Sequence, residues 1–150
     1  MRSLVIGVGS ARGNDAVGLH VVERLRGREL PPDVEIRLRD RPDAALLDDL
    51  EGASVAVLVD ALRSGATPGL VVRLPPTLFT RARMGSSGSL RVAEALSLAV
   101  ALERRLPPLR VIGIEIDGYD GEGLSPAVAA AIEPACEAVL AALAELRPLA

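Results

Sequence analysis

The chain has 150 residues, a formal net charge of −3 at pH 7 and one cysteine, and Phe79 and Tyr119 are its only residues of the Phe, Tyr and Trp type. A nucleic-acid surface needs basic charge or stacking rings and an internal disulfide needs two cysteines, so the composition disfavours the first and excludes the second. No stretch approaches the roughly 18 uninterrupted apolar residues of a membrane helix. We therefore expect a single domain over residues 1–150 that is soluble, cytoplasmic, not membrane-inserted and not a partner of nucleic acid.

Strand and helix patterns alternate along the chain. The predicted strands, which are rich in Val, Ile and Leu, are residues 2–8, 33–40, 54–61, 69–74 and 109–116. The predicted helices, whose apolar residues recur at helical spacing, are residues 14–26, 43–50, 89–105 and 125–146. This alternation predicts a three-layer α/β sandwich, in which a mostly parallel, twisted five-stranded sheet carries helices on both faces. Segment 69–74 is short enough for a sheet edge, where an antiparallel pairing is allowed.

Turn and capping residues punctuate this pattern. Gly7 and Gly9 are expected to loosen the backbone into a turn after the first strand. The candidate N-caps, which carry side-chain acceptors at predicted helix starts, are Asn14 or Asp15, Asp43 and Ser125. Pro134 is predicted to kink or split the last helix.

Two aspartates, Asp15 and Asp60, each follow a strongly apolar strand pattern. Parallel strands end on the same edge of a sheet, and a strand order that begins 2-1-3 puts the ligand crevice between the first and third strands. Asp60 closes an apolar run, where a carboxylate is costly to bury without a partner or a cleft. The pair can share a proton for hydrolysis or supply oxygen ligands to a metal, whereas Asp15 alone can be a helix cap. We expect the two carboxylates to face each other across the crevice.

Other motifs are incomplete. The segment GVGSARGNDAVG has Arg12 where a dinucleotide-binding loop needs its third glycine, and no phosphate-loop motif is present. His20 is the only histidine and lies off the apolar stripe of its helix, which predicts a surface residue. The hydroxyls of Ser86, Ser87 and Ser89 therefore have no histidine for a catalytic triad.

Two further features are predicted to be structural. Asp117, Asp120 and Glu122 lie among glycines but lack the spacing of a calcium-binding loop, so we expect a solvated turn. Cys136 lies on the apolar stripe of the last helix, where a thiol fills space in the core.

Four segments carry a family resemblance that spans the whole chain: LVIGVGS…NDAVGLHVVERL, VLVDAL, SSGSLRVAEAL and VIGIEI…GEGLSPAVAAAIEPACEAVL. In order and spacing they resemble the hydrogenase maturation protease family. The resemblance implies an α/β sandwich and an endopeptidase that removes a C-terminal extension from the large-subunit precursor of nickel-iron hydrogenase after its metal centre is assembled. We expect a monomer with no cofactor of its own, which contacts the substrate-borne nickel.

The resemblance also implies site residues. In that family a carboxylate after strand 1, an aspartate after strand 3 and a histidine in a later loop meet the nickel. By resemblance, Asp15 and Asp60 correspond to the first two, as catalytic and metal-contacting residues of an aspartic-type endopeptidase. Gly88 occupies the position of the histidine, and imidazole suits nickel better than carboxylate does. The chain thus resembles a divergent member without the usual histidine, and a non-proteolytic binding or chaperone-like paralogue is the alternative.

Overall fold

The computed structural model describes residues 2–10, 12–74, 92–118 and 121–147. Within them the strands are β1 Ser3–Val8, β2 Val34–Arg39, β3 Val55–Leu62, β4 Val71–Leu74 and β5 Leu109–Glu115. They form one sheet in the order β2-β1-β3-β5-β4, in which β4 is antiparallel to β5 and the other pairs are parallel. The predicted mostly parallel, five-stranded sheet is confirmed; its order begins 2-1-3, and the short edge strand is the antiparallel one.

The helices cover both faces of this sheet. They are α1 Val17–Arg26, α2 Ala44–Glu51, α3 Val92–Ala101, α4 Pro126–Ala129 and α5 Ile132–Leu146. Buried residues of α1, α4 and α5 share one core layer, and those of α2 and α3 share the other. Along β3, Val57 and Val59 belong to the first layer and Ala56 and Leu58 to the second, because successive strand residues point to opposite faces. The predicted three-layer sandwich is confirmed.

Helix α1 lies on the sheet at backbone contact distance. A Cβ atom on Gly18 would be 2.5 Å from the carbonyl oxygen of Val59 and 2.6 Å from that of Val8. A Cβ atom on Gly7 would in turn be 2.5 Å from the carbonyl oxygen of Gly18. Gly7 was expected in a turn, but it lies inside β1. A glycine is needed at this position because a side chain would keep α1 from approaching the strand.

Gly18→Ala is therefore expected to lower the free energy of unfolding by about 2 kcal/mol. Overpacking against rigid carbonyls costs about 3 kcal/mol, and replacing a helical glycine by alanine returns about 1 kcal/mol. Urea unfolding followed by circular dichroism measures the difference. Gly118→Ala is the matched control, since a Cβ atom there meets nothing within 4 Å. Equal stability of the two variants would contradict the contact.

Helix α3 ends earlier than its apolar pattern predicts. It stops at Ala101 instead of residue 105, and Glu103 has a left-handed backbone with φ 56°. The N–H of Arg104 donates to the carbonyl of Ala99 at 2.9 Å, which closes the helix in a Schellman arrangement. The sequence signal was missed because this position usually carries glycine. The predicted start of this helix at Ser89 lies outside the described residues.

The last predicted helix is split, as its proline suggested. Helices α4 and α5 are separated at Ala130 and Ala131, and Pro134 lies in the first turn of α5. A proline there cannot donate to a preceding carbonyl, so the break lies just before it. The stretch Pro126–Leu146 is long and apolar enough to cross a membrane by length and composition, with a mean hydropathy of 1.7. Its buried residues pack on the sheet, which accounts for its apolar character.

Three single-residue predictions are confirmed by these elements. Asp43 caps α2, since its carboxylate accepts the N–H of Ala45 at 3.0 Å. His20 is exposed on α1. Cys136 is fully buried in the core, and burial raises the pKa of its thiol. This thiol is therefore a packing group rather than a nucleophile.

Candidate functional site

Asp15 lies in the connection between β1 and α1. This connection contains a 3₁₀ turn, Gly13–Ala16, and α1 begins directly after it at Val17. The expected capping of this helix by Asn14 or Asp15 is wrong, because Ala16 occupies the N-cap position and no side chain caps the helix. The Asp15 carboxylate is 36% exposed instead, and one of its oxygens lies 3.6 Å from the guanidinium of Arg63.

Asn14 ties this 3₁₀ turn to the loop between β5 and α4. Its side-chain oxygen accepts the backbone N–H of Ser125 at 2.9 Å. Its amide nitrogen donates to the hydroxyl of Ser125 and to the carboxylate of Asp117, both at 3.3 Å. Ser125 holds the predicted N-cap position of α4 but makes no side-chain cap, because its hydroxyl serves Asn14. The segment that carries Asp15 is thus anchored to the loop between β5 and α4.

The turn at Gly9 also restricts the position of the Asp15 backbone. A Cβ atom on Gly9 would lie 2.1 Å from the carbonyl oxygen of Asp15. No side chain fits between them, so the turn after β1 runs directly under the 3₁₀ turn. Together with the Asn14 bonds, this contact fixes where the Asp15 carboxylate can reach.

A cleft of about 350 Å³ opens beside Asp15. Its lining combines two arginines, two acids, an amide and two glycines: Arg12, Arg63, Asp15, Asp117, Asn14, Gly13 and Gly121. These residues come from the segments that follow β1, β3 and β5. Ligands of open α/β sheets bind at this carboxyl edge of the strands, so the cleft is the candidate functional site.

Asp60 lies in β3 and is fully buried. One carboxylate oxygen accepts the N–H of Ala61 at 2.8 Å, and the other accepts the N–H of Val92 at 2.9 Å. Val92 is the first residue of α3 that the structure describes. Asp60 therefore ties β3 to the described start of α3.

The two predicted site residues share a sheet edge but differ in surroundings. Strands β1 and β3 are neighbours, as expected for carboxylates that follow the first and third strands. Asp15 lines the open cleft, whereas Asp60 lies on the side of β3 that faces α3 and has no exposed surface. Their joint catalytic and metal-contacting role stays a prediction. Gly88, the position matched to the histidine, lies outside the described residues.

Sequence reasoning missed two acids at the same edge. Glu115 ends β5, is fully buried, and accepts hydrogen bonds from the N–H and the hydroxyl of Ser64. The sequence signal for Glu115 is the same as the one for Asp60, namely a carboxylate at the end of an apolar strand pattern. Asp117 was expected in a solvated turn; it is exposed, but it also lines the cleft and binds Asn14. Asp120, which was expected in the same turn, lies outside the described residues.

The donor set of the described residues is short of a complete metal site. No three His, Cys, Asp or Glu side chains are grouped there to hold an ion by themselves. Asp15 can offer one oxygen to a cation that is carried by a bound molecule, provided that the bound molecule supplies the other coordinating groups. Ser86, Ser87 and Ser89, considered above as nucleophiles, lie outside the described residues.

Exchanging the partners of the Asn14 bond tests whether it anchors the turn. Asn14→Asp alone faces Asp117 with a second carboxylate and should cost about 1–2 kcal/mol of unfolding free energy. Adding Asp117→Asn restores an amide and a carboxylate in reversed positions, and the Ser125 hydroxyl can donate instead of accept. We expect the double variant to recover most of the loss in urea unfolding. No recovery relative to Asn14→Asp would contradict the anchoring role.

The chain is similar to known proteins both in sequence and in structure. The chain is 37% identical to the hydrogenase 2 maturation protease of Escherichia coli strain K12 over 154 residues, covering 97% of this chain and 92% of that protein. It is similar to the solved hydrogenase maturating endopeptidase HybD of Escherichia coli, with a TM-score of 0.77, 35% identity, and coverage of 97% and 93%. It is also similar to the [NiFe] hydrogenase maturation protease HybD of Thermococcus kodakarensis, with a TM-score of 0.70, 26% identity, and coverage of 94% and 98%. No protein-family model matches the sequence.

Proposed function

Since the chain belongs to the hydrogenase maturation protease family, we propose that it removes the C-terminal extension of a nickel-iron hydrogenase large-subunit precursor once the metal centre is in place. The enzyme class is peptidase, in line with the named relatives. The observation that carries the proposal is the 37% identity to a maturation protease across 97% of the chain.

We propose the cleft beside Asp15 as the place where the precursor docks. Asp15 is accessible, negatively charged and fixed by Gly9 and Asn14, which suits a group that meets the nickel carried by the substrate. In this proposal the ion belongs to the precursor and the protein needs no cofactor of its own. The remaining ligands of the nickel then come from the precursor.

Asp60 is proposed as the second carboxylate of an aspartic-type site. Its two oxygens hold the N–H groups of Ala61 and Val92 in the free protein. Because Asp60 is fully buried, its oxygens reach the substrate only if docking uncovers them. Asp15 therefore makes the first contact and Asp60 the later one.

Cellular setting and assembly complete the proposal. A monomer in the cytoplasm suits an enzyme that acts on a precursor during its assembly. A single, fully buried cysteine suits a reducing compartment.

Incubation with two forms of a large-subunit precursor tests this function. We expect a shortened product from the nickel-loaded precursor, with intact mass spectrometry giving the mass of the lost segment, and no product from the nickel-free form. A precursor that lacks the extension is the control and should keep its mass. Binding of the loaded precursor without any shortening would instead favour the chaperone-like paralogue.

A further inference from the structure

Two arginines in the cleft are less tightly engaged than the arginines that bind carboxylates elsewhere in the described residues. Arg12 is exposed and forms no ion pair with any other described residue. Arg63 is 55% exposed, and its ion pair with Asp15 is 3.6 Å long. Elsewhere, Arg39 and Arg104 reach their carboxylates at 2.7 Å, the range of charge-assisted hydrogen bonds. The cleft thus holds two guanidinium groups with donors to spare.

The charge on Asp15 affects how available the guanidinium of Arg63 is. In the free protein Asp15 partly neutralises Arg63. A cation that binds the Asp15 carboxylate competes with Arg63 for the same oxygens and leaves the guanidinium without its counter-charge. The other acid of the cleft, Asp117, is engaged by the Asn14 amide. A planar guanidinium released in this way matches a carboxylate in bidentate geometry.

We propose that Arg12 and Arg63 form a carboxylate-binding subsite beside Asp15, which holds an acidic group of the substrate segment near the bond to be cut. This subsite rests on the proposed function, because docking of the substrate-borne cation on Asp15 is what frees Arg63. The carboxylate is either an acidic side chain or the terminal carboxylate of the segment. Both offer the same planar pair of oxygens.

A binding experiment tests the subsite without requiring proteolysis. Asp15→Asn removes the competing charge and imitates a neutralised Asp15. We expect it to bind an acetylated tetrapeptide with one carboxylate about 5-fold more tightly than the parent, measured by NMR titration. Adding Arg63→Met should abolish the gain. Equal affinities of the parent and Asp15→Asn, or an unchanged gain in Asp15→Asn with Arg63→Met, would each overturn the subsite.

Two peptides distinguish the source of the carboxylate. One carries a glutamate side chain and an amidated end, and the other contains only alanine and has a free end. The peptide that gains affinity on Asp15→Asn identifies the source, and a gain by both supports the shared chemistry. Arg26→Met is the matched control, because Arg26 is 50% exposed, pairs with one carboxylate at 3.2 Å, and lies at the other end of α1.

Processing assays separate this inference from the function it rests on. If the parent shortens the precursor, Arg63→Met and Arg12→Met should each raise KM about 10-fold with little change in kcat, and Arg26→Met should change neither. An unchanged KM in both cleft variants would overturn the subsite and leave the proteolytic function standing. If the parent protein processes no precursor, the proposed proteolytic function is contradicted. The peptide titration then still decides whether the arginines bind carboxylate.

Discussion

Asp15→Asn is expected to lower the rate of precursor processing by about 100-fold or more and to leave the stability of the protein unchanged. The amide keeps the shape of the side chain but removes the charge that attracts the substrate-borne cation. Stability should hold because the Asp15 carboxylate is partly exposed, caps no helix, and has only a long ion pair with Arg63. Rates come from intact-mass time courses, and stability comes from urea unfolding.

The control for Asp15→Asn is an equal change of charge far from the cleft. Asp48→Asn on α2 suits this purpose, since Asp48 is 71% exposed and pairs with an arginine as Asp15 does. We expect Asp48→Asn to process the precursor at the parent rate. Full activity of Asp15→Asn would show that the accessible carboxylate of the cleft has no part in the reaction.

Local patterns predict the fold of this chain well. Apolar runs of strand length, separated by helical periodicity, are sufficient for a parallel sheet because each crossover must place a helix on one face. The carboxylates of Asp15 and Asp60 could be located at the ends of neighbouring strands for the same reason. Helix ends were harder, since Glu103 adopts a left-handed conformation without the glycine that normally marks it.

The surroundings of the site residues could not be predicted, because they depend on contacts between distant segments. Asn14 binds Ser125, which is 111 positions away, and Asp60 binds Val92, which is 32 positions away. No spacing rule connects such pairs. The position of Asp60 after an apolar run indicates a carboxylate that needs a partner, but only the packing of α3 on the sheet identifies that partner as the N–H of Val92.

Because Asp60 binds the N–H of Val92 in α3, a substitution at Asp60 affects stability as well as activity. Asp60→Asn is expected to lower the free energy of unfolding by about 3 kcal/mol and to abolish processing. An asparagine oxygen can accept one N–H, but its amide nitrogen then faces the N–H of Ala61 or Val92 with no acceptor between them. Because Asp60 is fully buried, bulk solvent does not reach the N–H that loses its acceptor.

A matched variant separates the effect of burial from that of helix capping. Asp43 also accepts a backbone N–H at a helix start, but on the exposed surface, where asparagine caps a helix as well as aspartate does. Asp43→Asn should therefore unfold within about 0.5 kcal/mol of the parent. A similarly small effect of Asp60→Asn would contradict the buried acceptor role.

The catalytic part of the Asp60 prediction needs activity per folded molecule. Processing is measured at a temperature well below the unfolding transition of Asp60→Asn, where nearly all molecules are folded, and the rate is corrected for the folded fraction. We expect no product even after this correction, because the neutral amide of Asp60→Asn does not attract a cation as a carboxylate does. If the folded variant processes the precursor at the parent rate, Asp60 only holds α3 on the sheet, and Asp15 is left as the carboxylate that meets the substrate.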